Sequence, residues 1–305
     1  MKLFEPHIHM TSRTTDDYAA MRAAGILAVV EPAFWLGQPR NHPGTFEDYF
    51  LSLVGWERFR ASQFGIRHYC TIGLNPKEAN TPAIVDGVLD LVDLYLEKET
   101  AVAVGEIGYD DMTAAEDEIL ARQVAMAIDH DLPILIHTPH RDKKAGTRRT
   151  LDLIRDTGIA PERVLVDHNN EETVGMVLDS GCWAGHTIYP GSKMDEPRMV
   201  AVVQRFGPER IMVNSSADWG ISDPLKVPKT VAAMRDAGIP DAAIETVVWH
   251  NPVAFYAQSG RLDPAEVAVP LPVDQRLLWQ GNTVLRGQTP RSEEHTSELQ
   301  SPYVI

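Results

Sequence analysis

The sequence predicts an α/β protein with the architecture of a TIM (β/α)8 barrel, built on parallel strands. Short apolar runs rich in β-branched residues alternate with longer amphipathic segments along most of the chain. The runs and segments fit into about 250 residues, the typical size of a barrel of eight strand–helix units. No glycine-rich phosphate loop follows any of the runs, which argues against the alternative, an open doubly wound sheet.

The predicted strands are eight short apolar runs. Each is dominated by apolar residues on both faces, as expected for strands of a parallel sheet that helices cover on the outside. In the first strand, side chains alternate between faces, so Glu5, His7 and His9 are expected to share one face. The eight runs are residues 2–9, 26–32, 68–74, 101–107, 133–137, 164–168, 183–188 and 211–215.

The predicted helices lie between the strands. Residues 81–99 give the clearest pattern, with apolar residues recurring at helical spacing. Residues 114–131 repeat that pattern and carry acidic residues in the first turn, where the helix dipole favours negative charge. Residues 195–207 and 223–238 end near glycines suited to helix C-caps, and Pro228 is expected in the first turn of the second of these helices.

The chain is expected to form one barrel domain, residues 1–260, followed by a C-terminal extension. Residues 251–260 predict a short helix at the end of the barrel. Residues 261–290 contain several prolines, and we interpret them as an extension packed on the barrel. Residues 291–305 lack apolar periodicity and resemble the translation of a sequencing-library adapter, so we interpret them as a disordered artefact.

Composition and charge restrict the class of protein. The net charge is −15, and no run of lysine or arginine could follow a phosphate backbone, so nucleic acid is expected only as a substrate. No apolar run approaches the roughly 20 residues that a membrane helix needs, and no signal peptide is recognisable. The two cysteines do not make a disulfide framework, so we expect a cytoplasmic protein. Its expected partner is a small-molecule substrate. The oligomeric state is left open.

Ionisable residues recur at the C-terminal ends of the predicted strands. In a β/α barrel these ends converge on one face, where active sites are built. Four histidines and two carboxylates are a suitable ligand set for two divalent metal ions. Any one of them could be structural, but six at the same end of the barrel are hard to attribute to chance. The six are His7, His9, Glu106, His137, His168 and Asp218.

The motifs that carry these residues resemble the TatD-like branch of the amidohydrolase superfamily. The shared pattern is HxH on the first strand, GEIGxD on the fourth, single histidines on the fifth and sixth, and an aspartate after the eighth. The resemblance covers roughly residues 1–257 and implies a metal-dependent hydrolase. It implies a first metal ion held by His7, His9, Glu106 and Asp218, and a second ion held by Glu106, His137 and His168.

The chemistry expected of such a site follows from the paired metal ions. Two cations close together repel each other, and a bridging carboxylate such as Glu106 reduces that repulsion. A metal-activated hydroxide then forms near neutral pH as the nucleophile, and the metals polarise the scissile oxygen. Asp218 could orient that nucleophile and pass its proton to the leaving group. Histidine and carboxylate ligands suit Zn²⁺ or Mn²⁺, with Mg²⁺ as a further option.

The residues around the ligand set depart from those of many relatives. The sequence NNEE at 169–172 stands where many relatives have an aromatic and small residues, and NSSAD at 214–218 stands in place of an acidic ETD. Nuclease activity therefore does not follow from the resemblance, and the bond cleaved is a phosphoester, an amide or a lactone. The alternatives are a metal-dependent lyase or isomerase on the same barrel, and a metal-binding barrel without catalytic activity.

Further residues are candidates for contacts with the substrate. Arg141 and Lys143 follow the fifth strand and Lys193 follows the seventh, where they could hold an anionic group such as a phosphate. His186, on the seventh strand close to the expected active face, could donate to the substrate or support a ligand. The loop at residues 34–50 is rich in aromatic residues and prolines, and it could cover the pocket or pack on the barrel rim.

Overall fold

The structure, a computed structural model, describes residues 1–38 and 40–274 and has one parallel sheet at its centre. Eight strands pair in sequential order, and a helical segment follows each of them. The predicted TIM (β/α)8 barrel is therefore confirmed. The strands are β1 (Leu3–Glu5), β2 (Ile26–Pro32), β3 (Arg67–Ile72), β4 (Ala101–Gly108), β5 (Ile134–His137), β6 (Val164–Val166), β7 (Trp183–Thr187) and β8 (Ile211–Asn214).

The helices surround the strands. None of the described helices has the length and apolarity needed to cross a membrane. They are α1 (Thr15–Ala23), α2 (Pro43–Leu51), α3 (Arg58–Ser62), α4 (Pro76–Ala79), α5 (Pro82–Leu96), α6 (Ala114–Asp129), α7 (Lys143–Thr157), α8 (Val174–Asp179), α9 (Glu196–Phe206), α10 (Lys226–Asp236), α11 (Asp241–Glu245), α12 (Asn251–Ala257) and α13 (Pro264–Val267). Short 3₁₀ turns cover Met10–Ser12 and Pro161–Arg163, and π-helical segments cover Ser52–Glu57 and Thr246–His250.

Helix ends follow the signals in the sequence. The Thr113 side chain accepts a hydrogen bond from the Glu116 N–H and caps the start of α6. Gly207, with φ of +79°, ends α9 in a conformation that favours glycine. Pro228 lies in the first turn of α10, where its missing N–H leaves no hydrogen bond unmade. The predicted helices are confirmed, with ends that coincide with the predicted ones or lie up to three residues inside them.

The first and sixth strands end earlier than the sequence predicts. β1 stops at Glu5 because Pro6 has no N–H with which to continue the hydrogen-bond ladder. β6 stops at Val166, and His168 adopts a φ of +61°, in the left-handed region that extended strands do not use. The predicted histidines of these two segments therefore lie in the loops that follow the strands.

Backbone hydrogen bonds just beyond the strand ends join the first and last strands. The Ser216 N–H donates to the His7 carbonyl at 2.8 Å, and the His9 N–H donates to the Ala217 carbonyl at 2.9 Å. The carboxylate of Glu5 also accepts a hydrogen bond from the Ser215 N–H at 3.1 Å. The segment after β1 therefore lies against the segment after β8, at the face where all the strands end.

The chain after β8 crosses the opposite end of the barrel. The Asn251 amide donates to the Ile211 carbonyl at the start of β8, at 2.7 Å. The Arg261 guanidinium donates to the Ala101 carbonyl at the start of β4, also at 2.7 Å. Because both acceptors begin their strands, α12 and the residues after it cover the amino-terminal end of the barrel. The predicted helix at residues 251–260 is confirmed.

An apolar layer, called here the basal cluster, fills the barrel at that end. Its members include Phe4, Leu27, Val30, Leu135, Leu165, Met212, Trp249, Phe255, Tyr256, Leu262 and Val267. The Phe4 ring stacks on Tyr256 with centroids 6.1 Å apart, and the Tyr256 hydroxyl donates to the Pro6 carbonyl at 2.8 Å. Burying such side chains contributes about 1.5–3 kcal/mol each, so α12 and the barrel stabilise one another.

Residues 261–274 continue along the same surface. Leu262 and Val267 are buried in the basal cluster, and the Asp274 N–H donates to the Gln63 carbonyl at 3.2 Å. The expectations for residues 275–290 and 291–305 lie outside the described residues. The division into a barrel, an extension and an artefact therefore remains a prediction.

We predict that Phe4→Ala destabilises the fold by about 3–5 kcal/mol, because it removes a fully buried ring and leaves a cavity. Urea denaturation followed by circular dichroism measures the loss. Leu94→Ala is the control, since Leu94 is 53 % exposed and its replacement should change stability by no more than about 0.5 kcal/mol. Equal losses for the two variants would contradict the role given to the basal cluster.

Candidate metal centre

Glu106, near the end of β4, is the carboxylate on which histidines from three other segments converge. Its Oε1 lies 3.0 Å from His137 Nδ1 and 3.1 Å from His168 Nε2. The same oxygen is 3.7 Å from His7 Nε2. The second oxygen, Oε2, accepts a hydrogen bond from the Asn75 amide at 2.9 Å. Burial opposes ionisation of Glu106, but His137 and the other histidines hold its pKa well below the usual range.

The two glycines beside Glu106 allow this arrangement because they let β4 approach β5 closely. A Cβ on Gly105 would lie 2.8 Å from the Leu135 carbonyl oxygen. A Cβ on Gly108 would overlap the His137 carbonyl oxygen, and Gly108 also has a φ of +135°. The GEIG motif is thus a packing requirement as well as the source of the carboxylate.

His7 and His9 face each other with their Nε2 atoms 3.1 Å apart. The ring of His9 stacks on Phe34 with centroids 3.6 Å apart, which fixes its plane. Burial, and then the nearby His7, lower the pKa of His9 well below its ordinary value. A neutral imidazole nitrogen can offer a lone pair to a metal ion, which a protonated one cannot do.

Asp167 orients His7, and the sequence analysis did not identify it. Its Oδ2 lies 2.5 Å from His7 Nδ1, and its Oδ1 accepts a hydrogen bond from the His168 N–H at 2.7 Å. Burial raises its pKa, but His168 and His7 outweigh that effect and keep the carboxyl ionised. A carboxylate on Nδ1 fixes the tautomer, so that the Nε2 lone pair of His7 faces Glu106. The available signal was its position directly before His168.

A hydrogen-bonded chain holds His168 and Asp167 together. Nδ1 of His168 lies 2.7 Å from the Thr187 hydroxyl, which donates to the Asn214 side-chain oxygen at 2.8 Å. The Asn214 amide donates to both oxygens of Asp167 at 3.0 Å. A Cβ on Gly185 would overlap the Asp167 carboxylate, so this position on β7 needs glycine. Residues on β7 and β8 therefore fix the positions of histidines that follow β1 and β6.

The residues present fit a divalent metal ion. One ligand atom from each of His7, Glu106 and His168 can be chosen so that all three lie within 4.8 Å of one another. His9 Nε2 and His137 Nδ1 face the same region, 3.1 Å from His7 Nε2 and 3.0 Å from Glu106 Oε1 respectively. Imidazole nitrogens and a carboxylate oxygen are donors that Zn²⁺ and Mn²⁺ accept. Five of the six predicted ligands thus lie together.

A cavity of about 90 Å³ lies in front of Glu106, and His9, His137 and His168 also line it. Asp218, the sixth predicted ligand, lines this cavity too, but its contacts differ from those of the histidines. The Oδ1 of Asp218 accepts hydrogen bonds from the Tyr189 hydroxyl at 2.9 Å and the Gly220 N–H at 2.8 Å. Its hydrogen bonds within the described part of the chain do not involve a histidine. Its assignment as a metal ligand therefore remains a prediction.

The three predicted substrate contacts lie in different places. Lys193 lines the cavity, with Nζ 3.2 Å from His168 Nδ1. Arg141 is 82 % exposed and pairs with Asp111. His186 is fully buried, with Nδ1 3.3 Å from the Met212 carbonyl, and burial lowers its pKa to about 4. Only Lys193 of these three is among the residues that line this cavity.

Aromatic residues from two loops form the mouth of the cavity. Phe34 and Trp35, at the start of the predicted loop after β2, line it. Trp35 meets Trp219 edge to face, with centroids 6.1 Å apart, and Lys77 Nζ lies 5.2 Å from the Trp35 ring. Trp219 is 54 % exposed, so it presents a free aromatic surface beside Asp218. This loop therefore gives the cavity an apolar wall at the barrel rim.

The barrel brings histidines onto one carboxylate at its strand ends, and this arrangement is typical of metal-dependent hydrolases. Residues 6–257 match the model of the TatD related DNase family, and the chain belongs to that family. The chain is therefore a TatD-like, metal-dependent hydrolase, as the sequence predicts. The specific bond that it cleaves does not follow from membership.

Relatives with solved structures and curated descriptions agree with this assignment. The chain is 26 % identical over 258 residues to an uncharacterized metal-dependent hydrolase from Methanocaldococcus jannaschii, covering 83 % of this chain and 99 % of the relative. A TatD-like protein from Archaeoglobus fulgidus superposes with a TM-score of 0.69 at 28 % identity, covering 83 % of this chain and 99 % of that one. A lactonase from Listeria monocytogenes shares the fold, with a TM-score of 0.57 at 13 % identity over 82 % of this chain and 93 % of that one.

We predict that Asp167→Asn weakens metal binding by about 10–100-fold, because the carboxylate that fixes the tautomer of His7 is lost. Isothermal titration of Zn²⁺ into the metal-free variant measures the change. Asp129→Asn is the control, since Asp129 is an exposed acid at the end of α6. Unchanged Zn²⁺ affinity in the Asp167 variant would show that the histidine geometry does not depend on this carboxylate.

Proposed function

We propose that the protein hydrolyses a phosphoester, amide or lactone bond of a small molecule, using two divalent metal ions bridged by Glu106. The observation that carries this proposal is the convergence of His7, His137 and His168 on one oxygen of Glu106. Glu106 and His137 lie on the neighbouring strands β4 and β5, and His7 and His168 lie in the loops after β1 and β6, so four segments meet at one oxygen. Zn²⁺ and Mn²⁺ are the ions that the donor set favours, and Mg²⁺ is an alternative.

The proposed ligands divide into two groups that share Glu106. His7, His9 and Asp218 would hold the first ion, and His137 and His168 the second. The 3.1 Å separation of the His7 and His9 Nε2 atoms supports the first group, since both nitrogens face the same space. The 3.0 Å and 3.1 Å distances from Glu106 Oε1 to His137 and His168 support the second. When bound, the ions would lower the pKa of a water molecule and polarise the scissile bond.

Asp218 is placed to move the proton in this reaction. Its Oδ1 is occupied by the Tyr189 hydroxyl and the Gly220 N–H, which fix the plane of the carboxylate. Its other oxygen, Oδ2, has no hydrogen bond to a described residue, so it is available to accept a proton from the attacking water and return it to the leaving group. Partial burial and the two donors on Oδ1 restrict the orientation of the carboxylate.

The walls of the cavity would position the substrate and exclude water. Phe34 and Trp35 form the apolar side, and Lys193 lies on the opposite, polar side beside His168. A substrate that presents an apolar part and an anionic or polar part to these walls would place its scissile bond near Glu106. The net charge of −15 disfavours a long nucleic acid, so we propose a small molecule as the substrate. The cytoplasm remains the expected compartment, since both cysteines are free and buried.

We predict that Glu106→Gln lowers the metal content from two equivalents to one or none and reduces hydrolysis by more than about 100-fold. Outer partners of metal ligands typically contribute 10–100-fold, and a bridging ligand should contribute more. Metal analysis by mass spectrometry and a hydrolase assay measure the two effects. Glu57→Gln is the matched control, since Glu57 is also buried and hydrogen-bonded but contacts Tyr18 and Arg60 instead.

The substrate class is tested by a screen on the metal-reconstituted protein. Phosphodiesters, phosphotriesters, lactones and amides are assayed together, and cleavage of one group identifies the bond. Two results would contradict the proposal: no cleavage of any group by protein that holds two metal equivalents, or full metal content in the Glu106→Gln variant. The first would favour a lyase, an isomerase or a binding protein on the same barrel.

A further inference from the structure

We propose that a second cavity beside the metal centre is an anion subsite, in which Lys143 and Lys193 hold a non-scissile phosphate or carboxylate group of the substrate. The inference names a feature of the substrate, and its catalytic meaning rests on the proposed function. The binding of an anion there does not rest on it, because neither lysine is itself a proposed metal ligand. The subsite would select substrates that carry a negative group next to the bond that is cleaved.

The second cavity is continuous with the metal centre. Its volume is about 160 Å³, and Lys143, Asn169, Asn170 and Arg198 line it together with residues that it shares with the first cavity. The shared residues are His140, His168 and Lys193. A group bound in the second cavity would therefore lie within the length of a small molecule from Glu106.

Both lysines of the second cavity lack a carboxylate partner. Lys143 Nζ donates to the Thr138 carbonyl at 3.1 Å and to the Thr138 hydroxyl at 2.9 Å. Lys193 Nζ lies 3.2 Å from His168 Nδ1 and 3.4 Å from the Ser216 hydroxyl. No aspartate or glutamate of the described chain forms an ion pair with either ammonium. None of these partners is a carboxylate, so neither ammonium is held in a direct ion pair, although Glu106 and Asp167 attract both lysines from across the metal centre.

Three of the other lysines in the protein are neutralised by direct ion pairs. Lys77, Lys226 and Lys229 pair with Asp110, Glu196 and Asp223 at 2.8, 2.8 and 2.5 Å. An acidic chain of net charge −15 offers many carboxylates, yet none of those in the described residues forms an ion pair with either lysine of the cavity. Partly buried ammonium groups without a direct counter-ion are unfavourable, because burial removes water and each charge repels the other. An oxyanion between them would relieve both effects.

The surroundings of the two lysines add to the positive potential. Helix α7 begins with Lys143 and Lys144 and has no acid in its first turn, where the helix dipole is positive, and the exposed Asp142 precedes it at the N-cap. The first turn of α6, by contrast, carries Glu116 and Asp117. Burial, and then the charge of Lys193, lower the pKa of Lys143 to about 7. An anion bound beside Lys143 would favour its charged form.

Arg198 supports the subsite by positioning Lys193. Its Nε and Nη2 each donate to Glu171 at 2.7 Å, so its own charge is balanced. Its Nη1 donates to the Lys193 carbonyl at 3.0 Å, which holds the backbone of the loop after β7 against the cavity. The guanidinium is therefore a positioning group, and the two lysines are the groups left to bind an anion.

Titration calorimetry with inorganic phosphate and, separately, with acetate tests the subsite on the metal-loaded protein and on the same protein after chelation. We expect Lys143→Met to weaken binding of the preferred anion at least about tenfold, the loss of one charge-assisted hydrogen bond. Lys144→Met is the matched control, because Lys144 is the exposed neighbour in α7 and its replacement removes the same charge. The control should bind as the unmodified protein does. Phosphate and acetate affinities then distinguish the two kinds of anion.

Two further measurements distinguish the loss of the Lys143 charge from a loss of folding or of bound metal. Lys143→Arg should retain anion binding, and thermal melting together with metal analysis should show that Lys143→Met is folded and fully metallated. Equal affinities in the Lys143→Met and Lys144→Met variants, no binding of either anion, or complete loss of binding on chelation would overturn the proposal. If Glu106→Gln fails to change metal content while Lys143→Met still weakens binding, the metal proposal fails and the anion subsite remains.

Discussion

The attraction between one ionised carboxylate and its surrounding imidazoles is the interaction on which the site depends. Glu106 is 4 % exposed, so its charge has little water to stabilise it and depends on the groups placed around it. Three histidines and the Asn75 amide provide that stabilisation, and the apolar layers of the barrel hold them in place. Because the strand ends cannot move independently, donors from distant segments stay within reach of one another.

A layer of residues behind the histidines is as important as the histidines themselves. Asp167 fixes His7, while Thr187 and Asn214 connect His168 to Asp167. This chain joins the segments after β1 and β6 through residues on β7 and β8, so half of the barrel contributes to one geometry. In metal sites such outer partners set the tautomer and basicity of the ligands, which explains why they need buried, fully hydrogen-bonded positions.

The space in front of the site is chemically asymmetric. An aromatic wall made by Phe34 and Trp35 stands on one side, and the cations Lys143 and Lys193 stand on the other. An apolar wall binds without regard to charge, whereas two ammonium groups without direct ion pairs would reject cationic ligands and attract anions. The loop after β2, the start of α7 and the loop after β7 provide these groups, while Glu106 and the histidines around it lie at the strand ends.

The sequence by itself determined the barrel, the helices and the residues gathered around Glu106, because periodic apolar runs and strand-end residues are local patterns. It did not reveal Asp167, which is an ordinary aspartate until folding places it 2.5 Å from a histidine 160 positions away. Likewise, His186 and Lys193 both belong to the β7 region, yet only Lys193 lines the cavity. The direction of a side chain and the partner of a charge depend on contacts between distant segments, and only the tertiary structure decides them.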